Sequence, residues 1–235
     1  MAELSRPFEN LVTDGRGASL ARVDPARSAL VVIDMQNWDA HPDYGLARIV
    51  REQGIPCEGY WERVEQLVVP HHVRLLAAFR AAGGKIVFTV PASYFADYSD
   101  SNPNCRRLCE AAEALVGQPE CEIRSELAPR PGEAVIVKAS SGAWGSSGID
   151  HLLRHAGVRS LFFTGVVTNG CVMLSALGAW DHGYEVHVVE DATATFTERQ
   201  HQTALEVFSM YNFGLWTTAE VEAALAPREA LQLAR

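Results

Sequence analysis

An acid, an amine and a thiol each stand where an apolar run of this chain gives out. Asp34 closes Ala29-Leu30-Val31-Val32-Ile33, Lys138 closes Ala134-Val135-Ile136-Val137, and Cys171 ends Thr164-Gly165-Val166-Val167-Thr168-Asn169-Gly170, where a helical pattern begins. A sulfur at a helix N-terminus is favoured as thiolate. A carboxylate in reach can accept the thiol proton, and an ammonium stabilises both anions by charge. Such help matters, because an unassisted thiol with a pKa of about 8.5 is only a few per cent ionised at neutral pH. Together the three residues suggest a covalent hydrolase.

Each has a plainer reading when taken alone. Free cysteine is commonly buried as a small apolar residue, an aspartate after a strand commonly caps a loop or helix, and a lysine at a strand end packs its stem and leaves its head in water. Three at successive strand ends are harder to set aside. Buried charge must be paired, and open α/β sheets hold their working sites beyond the carboxyl ends of their strands.

Short apolar runs alternate with longer amphipathic stretches, the pattern of βα units around a sheet buried on both faces. The runs predict strands near residues 29–34, 85–90, 134–138, 160–165, 185–189 and 213–217. Helices are predicted near 61–82, 104–116, 147–156, 171–182, 198–210 and 218–226, with Gly83-Gly84, Gly157 and Gly183 ending three of them. The expected fold is α/β, a three-layer α/β/α sandwich with a mainly parallel six-stranded sheet. Strand order does not follow from the pattern. One domain is expected over residues 28–226, with an N-terminal extension over 1–27 and a C-terminal tail over 227–235.

The connection over residues 36–60 is long for a βα loop and carries Trp38, His41, Pro42, Tyr44 and Tyr60. A lid, a subunit contact and an ordered surface excursion all fit it. Trp38, Tyr94, Phe95 and Trp144 are candidates for the wall of a substrate pocket, against the alternative of simple packing. Asn169, close before Cys171, is either a substrate contact or a helix cap.

A formal net charge of −9 argues against nucleic-acid partners, which call for clustered lysine and arginine. Hydrophobic content of 48% with 21% charged residues is ordinary for a soluble fold, and no run approaches the roughly 18 apolar residues of a membrane span. Residues 1–20 mix acids and bases without an apolar core, so no secretory signal is read and a cytoplasmic location is expected. Five cysteines, at 57, 105, 109, 121 and 171, make a poor disulfide framework. Cys105, Cys109 and Cys121 lack the pairing and spacing of zinc ligands, and no metal or other cofactor is expected.

An ordered set of strings carries a resemblance. Val32-Ile33-Asp34-Met35-Gln36, Lys138-Ala139-Ser140-Ser141-Gly142-Ala143-Trp144, Thr164 through Val172, Gly183-Tyr184-Glu185-Val186 and Glu190-Asp191-Ala192 follow one another across residues 28–217. In these the chain resembles the isochorismatase-like cysteine hydrolases, a Rossmann-like superfamily, and within it the N-carbamoylsarcosine and ureidoacrylate amidohydrolases. The resemblance implies Cys171 as nucleophile, Asp34 as general base and acid, and Lys138 as their electrostatic partner. It also implies a cis peptide between Val166 and Val167, with the backbone N–H groups of Val167 and Cys171 as an oxyanion hole.

The substrate so implied is a small amide or a carbamoyl or ureido compound, cleaved at C–N through a thioester, by a homo-oligomer (dimer or tetramer). Metal-dependent nicotinamidases are similar but carry an Asp-x-His motif after the second strand, where this chain reads Thr89-Val90-Pro91-Ala92-Ser93-Tyr94-Phe95. His71 and His72 fall on a predicted helix well before that strand and read as boundary histidines. Isochorismatases proper, which cleave a vinyl ether, lack the cysteine. Vinyl ether hydrolysis remains the second enzymatic reading, and a non-enzymatic binding protein on the same scaffold the third.

Overall fold

Runs rich in β-branched and aromatic residues form strands, and a strand apolar on both sides needs cover on both faces. The computed structural model describes residue 20 and residues 23–226; most of the extension over 1–27 and all of the tail over 227–235 lie outside the described residues. Six strands form one sheet: β1 (Ser28–Ile33), β2 (Lys85–Pro91), β3 (Ala134–Lys138), β4 (Ser160–Val166), β5 (Glu185–Ala194) and β6 (Gly214–Trp216). Their order is β3-β2-β1-β4-β5-β6, and every pairing is parallel.

The helices in chain order are α1 (Asn37–Ala40), α2 (Gly45–Glu52), α3 (Glu58–Arg63), α4 (Val69–Ala82), α5 (Arg106–Ala111), α6 (Ile149–His155), α7 (Met173–Asp181), α8 (Glu198–Met210) and α9 (Thr218–Leu225). Alternation along β1 sends Leu30 and Val32 to one face, where Leu75, Leu76 and Phe79 of α4 and Val221 of α9 meet them. Ala29, Val31 and Ile33 join the other face with Leu153 of α6, Ala176 of α7 and Phe208 of α8. Each large apolar side chain so buried contributes about 1.5–3 kcal/mol. The three-layer sandwich follows from these two cores.

Four elements differ from the expectation. The helix expected over 61–82 starts at Glu58 and widens into a π turn at Val64–Val68, which ends two residues before Pro70. Proline has no N–H and its ring crowds the carbonyl four residues back, so a wider turn takes up the mismatch. The helix expected over 104–116 contracts to α5, and Glu113, at φ 58°, turns the chain into a left-handed conformation that no helix continues. Strand β5 runs on to Ala194 through a register shift against β4 between Phe163 and Gly165. The long 36–60 connection contains α1, α2 and the start of α3.

The order of strands reverses between β1 and β4, the crevice where doubly wound sheets hold ligands. The two strands approach so closely there that a Cβ on Gly165, whose φ is 101°, would lie 1.9 Å from the Ile33 carbonyl oxygen. Gly165→Ala is accordingly expected to cost about 3 kcal/mol or more, through overlap and a left-handed backbone together. Denaturant unfolding reads the loss, and an alanine variant as stable as the parent would contradict this packing.

Candidate active site

Asp34 is the first residue beyond β1, at φ 54°, in the left-handed region that aspartate enters more readily than most residues. Its amide donates to the Thr89 carbonyl at 3.1 Å, and its Oδ1 accepts from Thr89 Oγ1 at 2.7 Å. Strand β2 thus grips both the backbone and the side chain of the residue.

Lys138 ends β3, two strands away from β1, a span of roughly 10 Å at ordinary strand spacing. The lysine side chain, the shorter aspartate side chain and the contact between them cross it together. Nζ stands 2.9 Å from Asp34 Oδ2 and donates to the carbonyls of Ser140 at 2.8 Å and Ser141 at 2.7 Å. Lys138 therefore meets the carboxylate on the oxygen that Thr89 leaves free. Both side chains are 0% exposed, so each charge depends on the other.

Burial raises the Asp34 carboxyl above its ordinary value, opposed by Lys138 and by the Thr89 hydrogen bond. For Lys138 burial works against the charged form, but the Asp34 and Cys171 charges outweigh it and the net direction is up.

Cys171 lies in an irregular turn, Thr168–Val172, that precedes α7; Gly170 within it has φ −122° and ψ −106°. The Val166–Val167 peptide just before this turn is cis. Burial, and then the adjoining Asp34 carboxylate, push the Cys171 thiol well above its ordinary value, with Lys138 pulling the other way. The thiolate favoured at a helix N-terminus is thus opposed here by burial and a neighbouring anion. A helix end supplies about 0.3–1 kcal/mol at an exposed position, and desolvation beside a carboxylate outweighs it. The site thus sets a thiol beside a carboxyl group, both shifted toward holding their protons.

A cavity of about 190 Å³ opens onto these groups, with Lys138, Val167 and Cys171 in its wall together with Trp38, Leu46 and Phe196. Trp38 and Leu46 come from α1 and α2, which pack so closely that a Cβ on Gly45 would lie 2.6 Å from Trp38 Cβ. The indole Nε1 of Trp38 donates to the Pro91 carbonyl at 3.1 Å. Arg124 donates to the Ala40 carbonyl at 2.7 Å and pairs with Glu65 and Glu126, and Asn37 Nδ2 donates to the Pro119 carbonyl at 2.8 Å. The 36–60 segment is therefore a tethered wall of the cavity.

Tyr94 and Phe95 do not line it. They are 67% and 59% exposed, on a loop held by Asp100, which accepts from the Tyr94 amide at 2.9 Å. Trp144 packs on Phe163 and Tyr184, with ring centroids 5.9 and 5.8 Å away, and borders a neighbouring depression. Asn169 accepts from Thr195 Oγ1 at 2.6 Å and faces Met173 and Arg199 in another. Of the four, the aromatics follow strand ends as expected, but the loops after those ends turn them elsewhere.

Asp39, Leu46, Cys105, Leu108, Cys109 and Phe196 line the cavity without having been picked out from the sequence. Phe196 follows an extended β5, and its nearness to the site shows only once that strand is known to reach Ala194. Burial pushes Asp39 up to about 8, aided by the Asp34 charge and opposed by Lys138.

Among the described residues no group of three or more His, Cys, Asp or Glu side chains is disposed to hold a metal ion. His71 meets Asp191 at 3.3 Å, while His72 bonds the Val68 carbonyl at 2.8 Å and is lowered to about 4 by burial. Among the same residues no helix is long and apolar enough to cross a membrane.

The chain is 29% identical over 227 residues to ureidoacrylate amidohydrolase RutB of Variovorax paradoxus (strain S110), covering 86% of each chain. It is 28% identical to the same-named protein of Enterobacter sp. (strain 638), covering 89% of this chain and 94% of that one. A crystal structure of an isochorismatase family protein from Desulfovibrio vulgaris superposes with a TM-score of 0.71 at 28% identity, over 86% of this chain and 99% of the other. Residues 28–221 match the isochorismatase domain model, so the chain belongs to the isochorismatase family of hydrolases.

Proposed function

We propose that this chain is a cysteine-dependent amidohydrolase that cleaves the C–N bond of a small amide or a carbamoyl or ureido compound through a thioester on Cys171. The observation that carries this reading is a buried ammonium–carboxylate pair at 2.9 Å, adjoining a thiol that opens onto the same small cavity. The amidohydrolase names of the relatives and the absence of the nicotinamidase Asp-x-His motif support the same branch.

In the cycle, Asp34 takes the proton of Cys171 as Sγ attacks the substrate carbonyl. The sulfur–carbon bond forms and the carbonyl becomes an oxyanion, which the backbone N–H groups of Val167 and Cys171 receive. Lys138 keeps the carboxylate ionised until it is used and offsets the negative charge that grows beside it. Collapse of the adduct breaks C–N, and Asp34 returns its proton to the leaving nitrogen, so ammonia or an amine departs. Water then gives its proton to Asp34 and its oxygen to the thioester, and the proton passes back to sulfur as the acid leaves.

Ammonia release measured across a panel of primary amides and ureido compounds tests this, with hydroxylamine added to intercept the thioester. Hydroxamate should form at the expense of the acid, and an acid-quenched sample should carry the acyl group on the Cys171 peptide. Turnover with neither hydroxamate nor adduct would refute the thioester. Pyruvate release from isochorismate without any amide cleavage would favour the vinyl ether reaction instead.

A further inference from the structure

The cavity contains a carboxylate that the cycle does not use. Asp39, on α1, is 6% exposed and lines the cavity with Lys138 and Cys171. Its backbone carbonyl accepts from Tyr60 Oη at 2.9 Å, but among the described residues no hydrogen bond or ion pair ends on its side chain. Its carboxyl oxygens are not among the fully enclosed unpartnered atoms, so they are reached from the cavity, and a partner for their charge has to come from there.

The rest of the wall sharpens the point. Trp38, Leu46, Pro91, Leu108 and Phe196 are its apolar part. Lys138 is the one basic side chain among the described residues lining it, and its ammonium is already occupied by Asp34 and the Ser140 and Ser141 carbonyls. With Asp34 and Lys138 cancelling, the charge of the cavity is set by Asp39, which burial pushes up to about 8. A ligand cation draws its carboxyl into the ionised form and pairs with it, a neutral ligand leaves it protonated, and a ligand carboxylate finds no free cation to receive it.

We propose that Asp39 is the specificity-determining residue of this cavity, pairing with a basic nitrogen on a substrate that has a short apolar body and no carboxylate. This rests on the amidohydrolase reading and narrows it to amides or ureido compounds bearing an amine or amidine group, excluding ureido acids.

Three compounds of similar length test it: 4-aminobutanamide, pentanamide and succinamate. Binding is measured by calorimetry on Cys171→Ala protein, and kcat/KM for ammonia release on the wild type. 4-Aminobutanamide should bind at least about tenfold more tightly than pentanamide, with succinamate weakest, because a close charge pair in an apolar site exceeds the 1.4 kcal/mol that a factor of ten represents. Asp39→Asn should bring the first two to within about twofold. The ratio between compounds reports recognition, which a merely structural role would not move. If Asp39→Asn fails to fold, the ranking of the three compounds on Cys171→Ala protein decides alone. Succinamate binding best, an ammonium preference that survives in Asp39→Asn, or no binding by any of the three overturns the proposal. Ammonium-selective binding with no turnover anywhere leaves it standing and sinks the amidohydrolase reading, whereas turnover with a carboxylate preference does the reverse.

Discussion

Cys171→Ala is expected to fold as the parent does and to lose at least about a thousandfold in kcat/KM, the scale on which removing a nucleophile acts. The stability change should stay within about 1 kcal/mol, because the side chain faces a cavity and is only partly covered. Cys171→Ser separates chemistry from shape. Serine keeps the polarity, yet its hydroxyl holds its proton far more tightly than a thiol, and Asp34 is too weak a base to remove it efficiently. Ammonia release beside thermal unfolding checks both variants. Serine protein working within about tenfold of the parent would exclude sulfur as the attacking atom.

Lys138→Met should be costlier to the fold than any other substitution on the cavity wall. Removing one member of a buried ion pair leaves the other uncompensated, which costs about 3–5 kcal/mol, and the Ser140 and Ser141 carbonyls lose their donor as well. The effect has a pH signature. The folded Asp34 carboxyl already binds its proton more tightly than at its ordinary value of 3.8, so stability falls as pH rises from that value to the raised one. Without Lys138 the folded value climbs further and the window widens upward. The deficit of Lys138→Met should therefore be smallest below about pH 4 and grow toward neutrality. Asp34→Asn combined with Lys138→Met should recover much of the stability and none of the activity. Denaturation curves at several pH values read the cycle, and a deficit independent of pH would mean that the pair is not coupled.

Much of this was legible in the sequence because strands buried on both faces announce themselves. Ala29 to Ile33 is an unbroken apolar run and Leu161 to Val166 is interrupted only by Thr164 and Gly165, and their ends mark where Asp34 and the turn holding Cys171 stand. Strand order was not legible, because each βα unit looks alike whichever side it is laid on. Helices α1 and α2, of four and eight residues, are too short to display a period, so the segment that holds them read as a loop. Asp39 gave no signal for a related reason. A lone aspartate after Asn37-Trp38 resembles any solvated loop residue, and only its place in the cavity wall at 6% exposure singles it out. Tyr94 and Phe95 misled in the opposite sense, since aromatic character at a strand end says nothing about which way the following loop folds.

The excursion between β1 and α3 supplies Trp38, Asp39 and Leu46 to the cavity, yet no strand passes through it. Inheritance can accordingly treat this molecule as two parts. Changes around Gly165 threaten the whole ladder, while changes in α1 and α2 reshape the cavity wall and leave Asp34, Lys138 and Cys171 where they are. New appetites can therefore arise by resculpting one short stretch, which makes the scaffold easy to diversify and its centre hard to lose.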